Sequence, residues 1–245
     1  MLQRLKFDLE EPANKMLDQL PEHIFKSETT TFYDPAPGGG QFVSAIENRL
    51  RQYGHSDKNI SKRVFGYVGN RIHLNYIINT HKLVGTYFKT TIEDMEFNVV
   101  ICNPPYQQSD NVRAKLWNKF VEAGYSHLKE GGYMTMIIPC KWFTQSSNRL
   151  SKVINIFTNN NLIRFDLDSS KYFPQVGDII GTFTLQKSNQ VYDTVVIRDG
   201  KEYKIRYKGQ RIAFTEQEKL TNSILSKVKA PDKSKKINSF ASEDL

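Results

Sequence analysis

Four consecutive residues, Asn103-Pro104-Pro105-Tyr106, carry the strongest chemical signal in this sequence of 245 residues. An asparagine side-chain oxygen accepts hydrogen bonds, and prolines offer carbonyls without a backbone donor. Two prolines stiffen the turn, so those acceptors converge on one spot. Tyr106 adds an aromatic face on which a planar group can stack. Two acceptors and a flat lid suit an amino group on a conjugated ring or an amide. Such a loop would hold the nitrogen for in-line attack on an electrophile, by position rather than by a strong base. The bland alternative is a rigid Pro-Pro turn that binds nothing. Chemistry is favoured by the apolar run Val99-Val100-Ile101 just upstream, because ligands of open α/β sheets sit at the carboxyl ends of strands.

A second loop has the same placement. The predicted strand Thr31-Phe32-Tyr33 ends in Asp34-Pro35-Ala36-Pro37-Gly38-Gly39-Gly40, and Phe42, Ala45, Ile46 and Leu50 then recur at helical spacing. Consecutive glycines let a ligand approach the backbone, and a helix N-terminus presents free N–H groups to an anion. The loop is not a nucleotide phosphate loop, since no Gly-Lys-Ser/Thr follows. Its contiguous glycines also fit the dinucleotide pattern poorly. Tyr33 and Phe42 read as core residues that could instead line a pocket.

The elements that must position these loops form an alternating pattern. Strands are predicted at residues 64–67, 83–88, 97–102, 133–138, 162–166 and 179–185, with helices at 72–81 and 150–157 between them. A further helix carries Leu116, Phe120, Ala123 and Leu128 and is predicted to close at Gly131-Gly132. Residues 9–24 read as a helix interrupted near Pro21. This is an α/β pattern with a largely parallel sheet. Composition shifts after Lys187, where two strand-like runs flank Asp199-Gly200, a hairpin signal. Helical character follows at 214–228, and 230–245 is polar. The expected division is therefore a core of residues 1–187 and a small appendix of 188–245.

Composition narrows the class. A formal charge of +8 favours polyanionic partners, nucleic acid first. With 39% hydrophobic and 12% aromatic residues there is material for a full core. The two cysteines, Cys102 and Cys140, exclude a disulfide framework and lack zinc-ligand spacing, and the five histidines are scattered. No metal site is expected. Neither a secretory signal nor a run of membrane-spanning length is present, so a cytoplasmic location is expected, with no membrane partner. Trp117 and Trp142 read as packing residues, with Trp142 the candidate to face nucleic acid.

Together the two loops resemble the motifs of S-adenosylmethionine-dependent DNA adenine-specific methyltransferases of restriction-modification type. In that family the cofactor loop precedes the catalytic loop and a target-recognition region follows. The likeness covers about residues 10–187. It implies a Rossmann-like methyltransferase fold: a mostly parallel seven-stranded sheet with helices on both faces, plus a small C-terminal appendix. It implies S-adenosyl-L-methionine as cofactor, double-stranded DNA as partner, and methyl transfer to the exocyclic amino group of adenine. By resemblance, Asn103, Pro104, Pro105 and Tyr106 are catalytic, and Phe173, in Tyr172-Phe173-Pro174-Gln175-Val176, stacks on the extruded base. The cofactor set is Pro12, Asp34, Pro35, Ala36, Gly38, Gly40, Phe42 and Asn70, with the Pro12 helix packing over the methionine end.

Two departures stand out. Where the family's second strand ends in an acid that holds the ribose hydroxyls, this sequence has Val68, with Asn70 as candidate substitute. Where the third strand offers an Asp or Ser near the adenine, this sequence offers Thr86 or Tyr87 instead, and the nearest acid, Asp94, falls too close to the next strand. The appendix holds Arg198, Lys201, Lys204, Arg206, Lys208 and Arg211, a local excess that is half the net charge. It reads equally as phosphate contact or as a solvated hairpin face. Recognition regions in the family are long and only 58 residues follow the core here. That implies reduced recognition, a fragment, or a further specificity region or subunit. Other acceptors compatible with the same chemistry are cytosine, an RNA base and a protein glutamine. A non-catalytic DNA-binding subunit is the alternative from another class.

Overall fold

The structure, a computed structural model, describes residues 9–88, 94–108, 111–140, 150–174 and 176–209. The chain opens with α1 (Glu10–Asp18) and α2 (His23–Lys26), the two pieces of the helix interrupted at Pro21. β1 (Phe32–Asp34) leads through the glycine loop into α3 (Gln41–Gln52), then α4 (Asp57–Ile60), β2 (Val64–Tyr67), α5 (Arg71–His81) and β3 (Thr86–Phe88). β4 (Phe97–Cys102) follows. A small hairpin, β5 (Gln107–Gln108) and β6 (Asn111–Lys115), comes next. After it come α6 (Trp117–Ser126), β7 (Leu128–Pro139), α7 (Ser151–Thr158), β8 (Asn161–Asp166) and a 3-10 segment, Leu167–Tyr172. The last strands are β9 (Ile180–Gln186), β10 (Thr194–Arg198) and β11 (Lys201–Ile205).

Nine strands form one sheet in the order β11-β10-β8-β9-β7-β4-β1-β2-β3. β9 runs antiparallel to β7 and β8, and β11 antiparallel to β10, while the other pairings are parallel. The sheet therefore has nine strands rather than the seven the resemblance implied. The two extra strands are the 194–205 hairpin, whose β10 joins β8 through Val195↔Arg164 to Ile197↔Asp166. Residue 187 consequently does not mark an edge of the sheet. The hairpin turn itself forms as its sequence predicts, with Asp199 and Gly200 both at positive φ, 52° and 69°.

The helices cover both faces. On one, α1, α2, α3 and α5 bury Met16, Leu17, Phe25, Ile46, Leu50 and Ile77 against Phe32, Val64, Val99 and Ile101. On the other, α6 and α7 cover the β7–β8–β9 region, where Phe157, Phe165 and Phe183 pack ring on ring. β4 is buried on both faces, which is why its sequence is a continuous apolar run rather than an alternating one.

The α6 boundary departs from the sequence expectation. The helix ends at Ser126 with His127 as cap, and Leu128 already belongs to β7. Gly131-Gly132 is not a helix stop. It lies in an irregularity where β7 shifts register between Leu128↔Phe97 and Tyr133↔Val99. Gly131 N–H donates to Lys187 O at 2.8 Å, so the bulged residues pair with the end of β9 instead. Arg211, Trp142, Gln175, the expected 214–228 helix and the 230–245 tail lie outside the described residues. Among those described, no helix is long and apolar enough to cross a membrane.

Candidate active site

Strand order brings the two loops together. The chain leaves β1 toward β2 and β3, then returns to β4 on the other flank, so the sheet reverses its winding between β1 and β4. These strands pair in parallel through Phe32↔Val99 and Tyr33↔Val100, which sets their carboxyl ends side by side. The glycine loop and Asn103-Pro104-Pro105-Tyr106 open there onto one cavity of about 680 Å³. Pro35, Ala36 and Gly38 line one wall, Asn103 to Tyr106 another, and Tyr67, Val68, Gly69, Asn70 and His73 the end beyond β2.

In the glycine loop, Asp34 is wholly buried and its Oδ1 accepts the Ala36 N–H at 2.9 Å, tying the turn. Its Oδ2 has no hydrogen-bond partner among the described residues. Burial pushes the carboxyl up to about 7, opposed in part by the Ala36 N–H and the Cys102 thiol. Gly40 starts α3 at φ 90°, with no side chain capping the first turn. A Cβ there would stand 2.8 Å from His81 Cδ2, and His81 Nε2 pairs with Gly39 O at 2.8 Å. Glycine thus lets α5 close against the loop while leaving the α3 N–H groups open.

In the Asn-Pro-Pro-Tyr loop, Pro104 is buried, Pro105 exposed and Asn103 half-buried. The Tyr106 hydroxyl donates to Asn103 Oδ1 at 3.0 Å. Burial drives the Tyr106 phenol well above its ordinary range, so it stays a neutral donor. The Tyr106 backbone carbonyl accepts from Leu116 N at 3.1 Å, closing the base of the loop. Tyr106 and Phe173 meet edge to face, centroids 6.5 Å apart at 66°. They do not form a slot of two parallel rings, because Phe173 is core, only 2% exposed.

The sequence-predicted residues divide accordingly. Pro35, Ala36, Gly38, Asn70, Asn103 to Tyr106 and Phe173 all line the cavity. Asp34, Gly40 and Phe42 shape the loop from behind, and Tyr33 stacks on Phe97 at 4.6 Å in the core. Pro12 lines a different recess, of about 30 Å³, beside Lys15, Asp166 and Tyr172. Tyr172 bridges there to α1 by donating to Glu11 at 2.7 Å. Thr86 and Tyr87 turn away from the cavity: Thr86 donates to Ser61 O at 2.9 Å and Tyr87 to Glu47 at 2.9 Å. Tyr67, His73, Phe120 and Val176 line the cavity without having been singled out. His73 had a signal in its position, three residues past Asn70 at the start of a helix.

The basic stretch is not gathered on one face. β10 runs parallel to β8, so Arg198 and Lys201, flanking the turn, lie at the sheet edge that carries the cavity. Arg206 and Lys208 follow β11 at the opposite edge, where Arg206 pairs with Asp193 at 3.1 Å and donates to Val191 O. Asp168, in the segment before Phe173, fixes the turn by accepting the Asp199 and Gly200 N–H groups at 2.7 and 2.8 Å.

Strand order, an antiparallel β9 and a cavity at the winding reversal define a Rossmann-like methyltransferase fold. The Eco57I restriction-modification methylase family model matches residues 24–173, and the chain belongs to that family. It is 24% identical over 183 residues to the type II methyltransferase M.BstVI of Geobacillus stearothermophilus, covering 65% of this chain and 32% of that protein. It is 33% identical over 98 residues to an adenine-specific methylase of Mycoplasma pneumoniae, covering 36% of this chain and 23% of that protein. The methyltransferase subunit of a type I restriction-modification system from Streptococcus thermophilus superposes with a TM-score of 0.55 at 21% identity, over 90% of this chain and 53% of that one. The chain thus spans about a third or less of the curated relatives it matches.

Proposed function

We propose that this chain transfers a methyl group from S-adenosylmethionine to the exocyclic amino group of adenine in DNA. The observation that supports this most is the shared cavity, which joins the glycine loop to Asn103-Pro104-Pro105-Tyr106. The residues present fit the cofactor. The volume suits a nucleoside-sized ligand, Gly38 lets a ligand approach the loop backbone, and Tyr67 offers a ring beside Val68. Bound there, the cofactor would supply a methyl group on a positively charged sulfur.

The chain's own part is positioning. Adenine in a duplex is stacked and paired, so it must be extruded to reach Asn103. Asn103 Oδ1 already accepts one donor, the Tyr106 hydroxyl, and the adenine amino group would take that place. The Pro104 carbonyl is the second acceptor. Holding both amino hydrogens keeps the nitrogen lone pair aimed at the electrophile and needs no strong base. Tyr106 supplies the stacking face, with Phe173 behind it. Stacking at about 1–3 kcal/mol offsets part of the extrusion cost. A further region or subunit that selects the DNA sequence belongs to the same proposal.

The test is Asn103→Ala. Cofactor binding by calorimetry should survive, and methyl transfer to DNA should fall by at least about a hundredfold. Retained turnover would contradict the role given to Asn103. Lost cofactor binding would instead make Asn103 part of the cofactor wall.

A further inference from the structure

The end of the cavity beyond β2 is built without a carboxylate. In doubly wound sheets this end of the second strand is where an acid accepts the ribose hydroxyls of a nucleoside ligand. Here Tyr67, Val68, Gly69, Asn70 and His73 line it. The nearby acids, Asp34 and Glu47, do not line the cavity. Asp34 lies behind the loop on the Ala36 N–H, and Glu47, wholly buried, accepts from Val84, Gly85 and Tyr87.

Asn70 shares this corner with the polar side chains of Tyr67 and His73, and its orientation is set by the helix it starts. Its Oδ1 accepts the N–H groups of Ile72 at 2.9 Å and His73 at 3.1 Å, capping α5. Because both partners are donors, the accepting atom must be the oxygen. The amide nitrogen is left without a partner among the described residues, on an exposed side chain at the cavity wall. At Asn70 this corner offers N–H donors where a carboxylate would offer acceptors.

Resting on the cofactor reading above, we infer that Asn70 sets both the affinity and the sugar selectivity of the site. A ribose hydroxyl can accept from the amide but gains no charge-assisted bond, so its removal costs little. The cavity would therefore bind nucleoside cofactors with weak discrimination between ribose and 2′-deoxyribose. One substitution should reverse this. Asn70→Asp keeps the helix cap, since aspartate caps as well as asparagine, and frees a second oxygen to accept from the sugar.

The experiment is calorimetric titration with S-adenosylhomocysteine and its 2′-deoxyribose analogue. The proteins are the unaltered chain, Asn70→Asp and Asn70→Ser, the last keeping a cap without the amide. The unaltered chain should separate the two ligands by less than about threefold. Asn70→Asp should bind the ribose form about tenfold more tightly and the deoxy form no better. Strong discrimination by the unaltered chain, or an unchanged affinity in Asn70→Asp with native circular dichroism, would overturn the inference. Failure of every protein to bind either ligand would be a different result, overturning the cofactor reading and this inference with it.

Discussion

Asn103 and Asp34 sit at the carboxyl ends of neighbouring strands, and their surroundings give them opposite electrostatic tasks. Asn103 is neutral and already hydrogen-bonded by Tyr106, so it can exchange one donor for another at small cost. Removing the Tyr106 hydroxyl should make that exchange easier. Tyr106→Phe should bind an adenine-containing single strand at least as tightly as the unaltered chain, and fluorescence anisotropy would show it. Asp34 is wholly buried with an orphaned oxygen, and its carboxyl is pushed from 3.8 up to about 7. A raised folded-state value means the native state holds the proton more tightly than the unfolded chain. Its stabilising effect is full below pH ~4 and is lost as pH rises through about 7, a change of about 4 kcal/mol. Asp34→Asn should remove that slope. The difference in Tm between pH 5 and pH 8 should be smaller in the variant, and an equal difference would contradict the assignment.

At the scale of elements, the close passage of α5 against the glycine loop depends on Gly40. Its φ of 90° is costly for an L side chain, and a Cβ would meet His81 and Ile77 at 2.8 and 3.1 Å. Gly40→Ala should cost about 1–3 kcal/mol by denaturant unfolding and weaken cofactor binding as well. The hairpin turn has a comparable dependence on Asp168, which accepts two backbone N–H groups from it. Asp168→Ala should raise amide exchange at Asp199 and Gly200 while leaving β4 protected.

Much at this scale was legible in the sequence. The apolar run before Asn103, the glycine loop before a helical repeat, and Asp199-Gly200 each act locally, through burial or backbone preference. The end of α6 was misread because Gly131 serves a sheet irregularity, and its partner, Lys187, lies far along the chain. The engagement of Tyr87 by Glu47 is likewise long-range and leaves no periodic trace.

For the whole molecule, the decisive fact is that the basic hairpin extends the same sheet that carries the site. No local pattern announces the parallel pairing of β10 with β8, so the composition shift at residue 187 looked like a boundary. The pairing also sorts the cations. Arg198, paired with Asp199 at 3.7 Å, and Lys201 share an edge with the cavity, whereas Arg206 pairs with Asp193 at the other. If DNA crosses the cavity edge, Arg198→Ala and Lys201→Ala should each reduce the salt slope of DNA binding by about one, and Arg206→Ala should not. Equal effects from all three would place the DNA elsewhere.

The measurement that bears most directly on the account is methyl transfer itself. The chain would be incubated with methyl-labelled S-adenosylmethionine and, separately, with unmodified duplex DNA, RNA and protein. The acceptors would then be digested to nucleosides or amino acids. The expected result is label in N6-methyladenine from DNA, abolished by Asn103→Ala. Label confined to protein glutamine, to RNA or to cytosine would contradict the central claim.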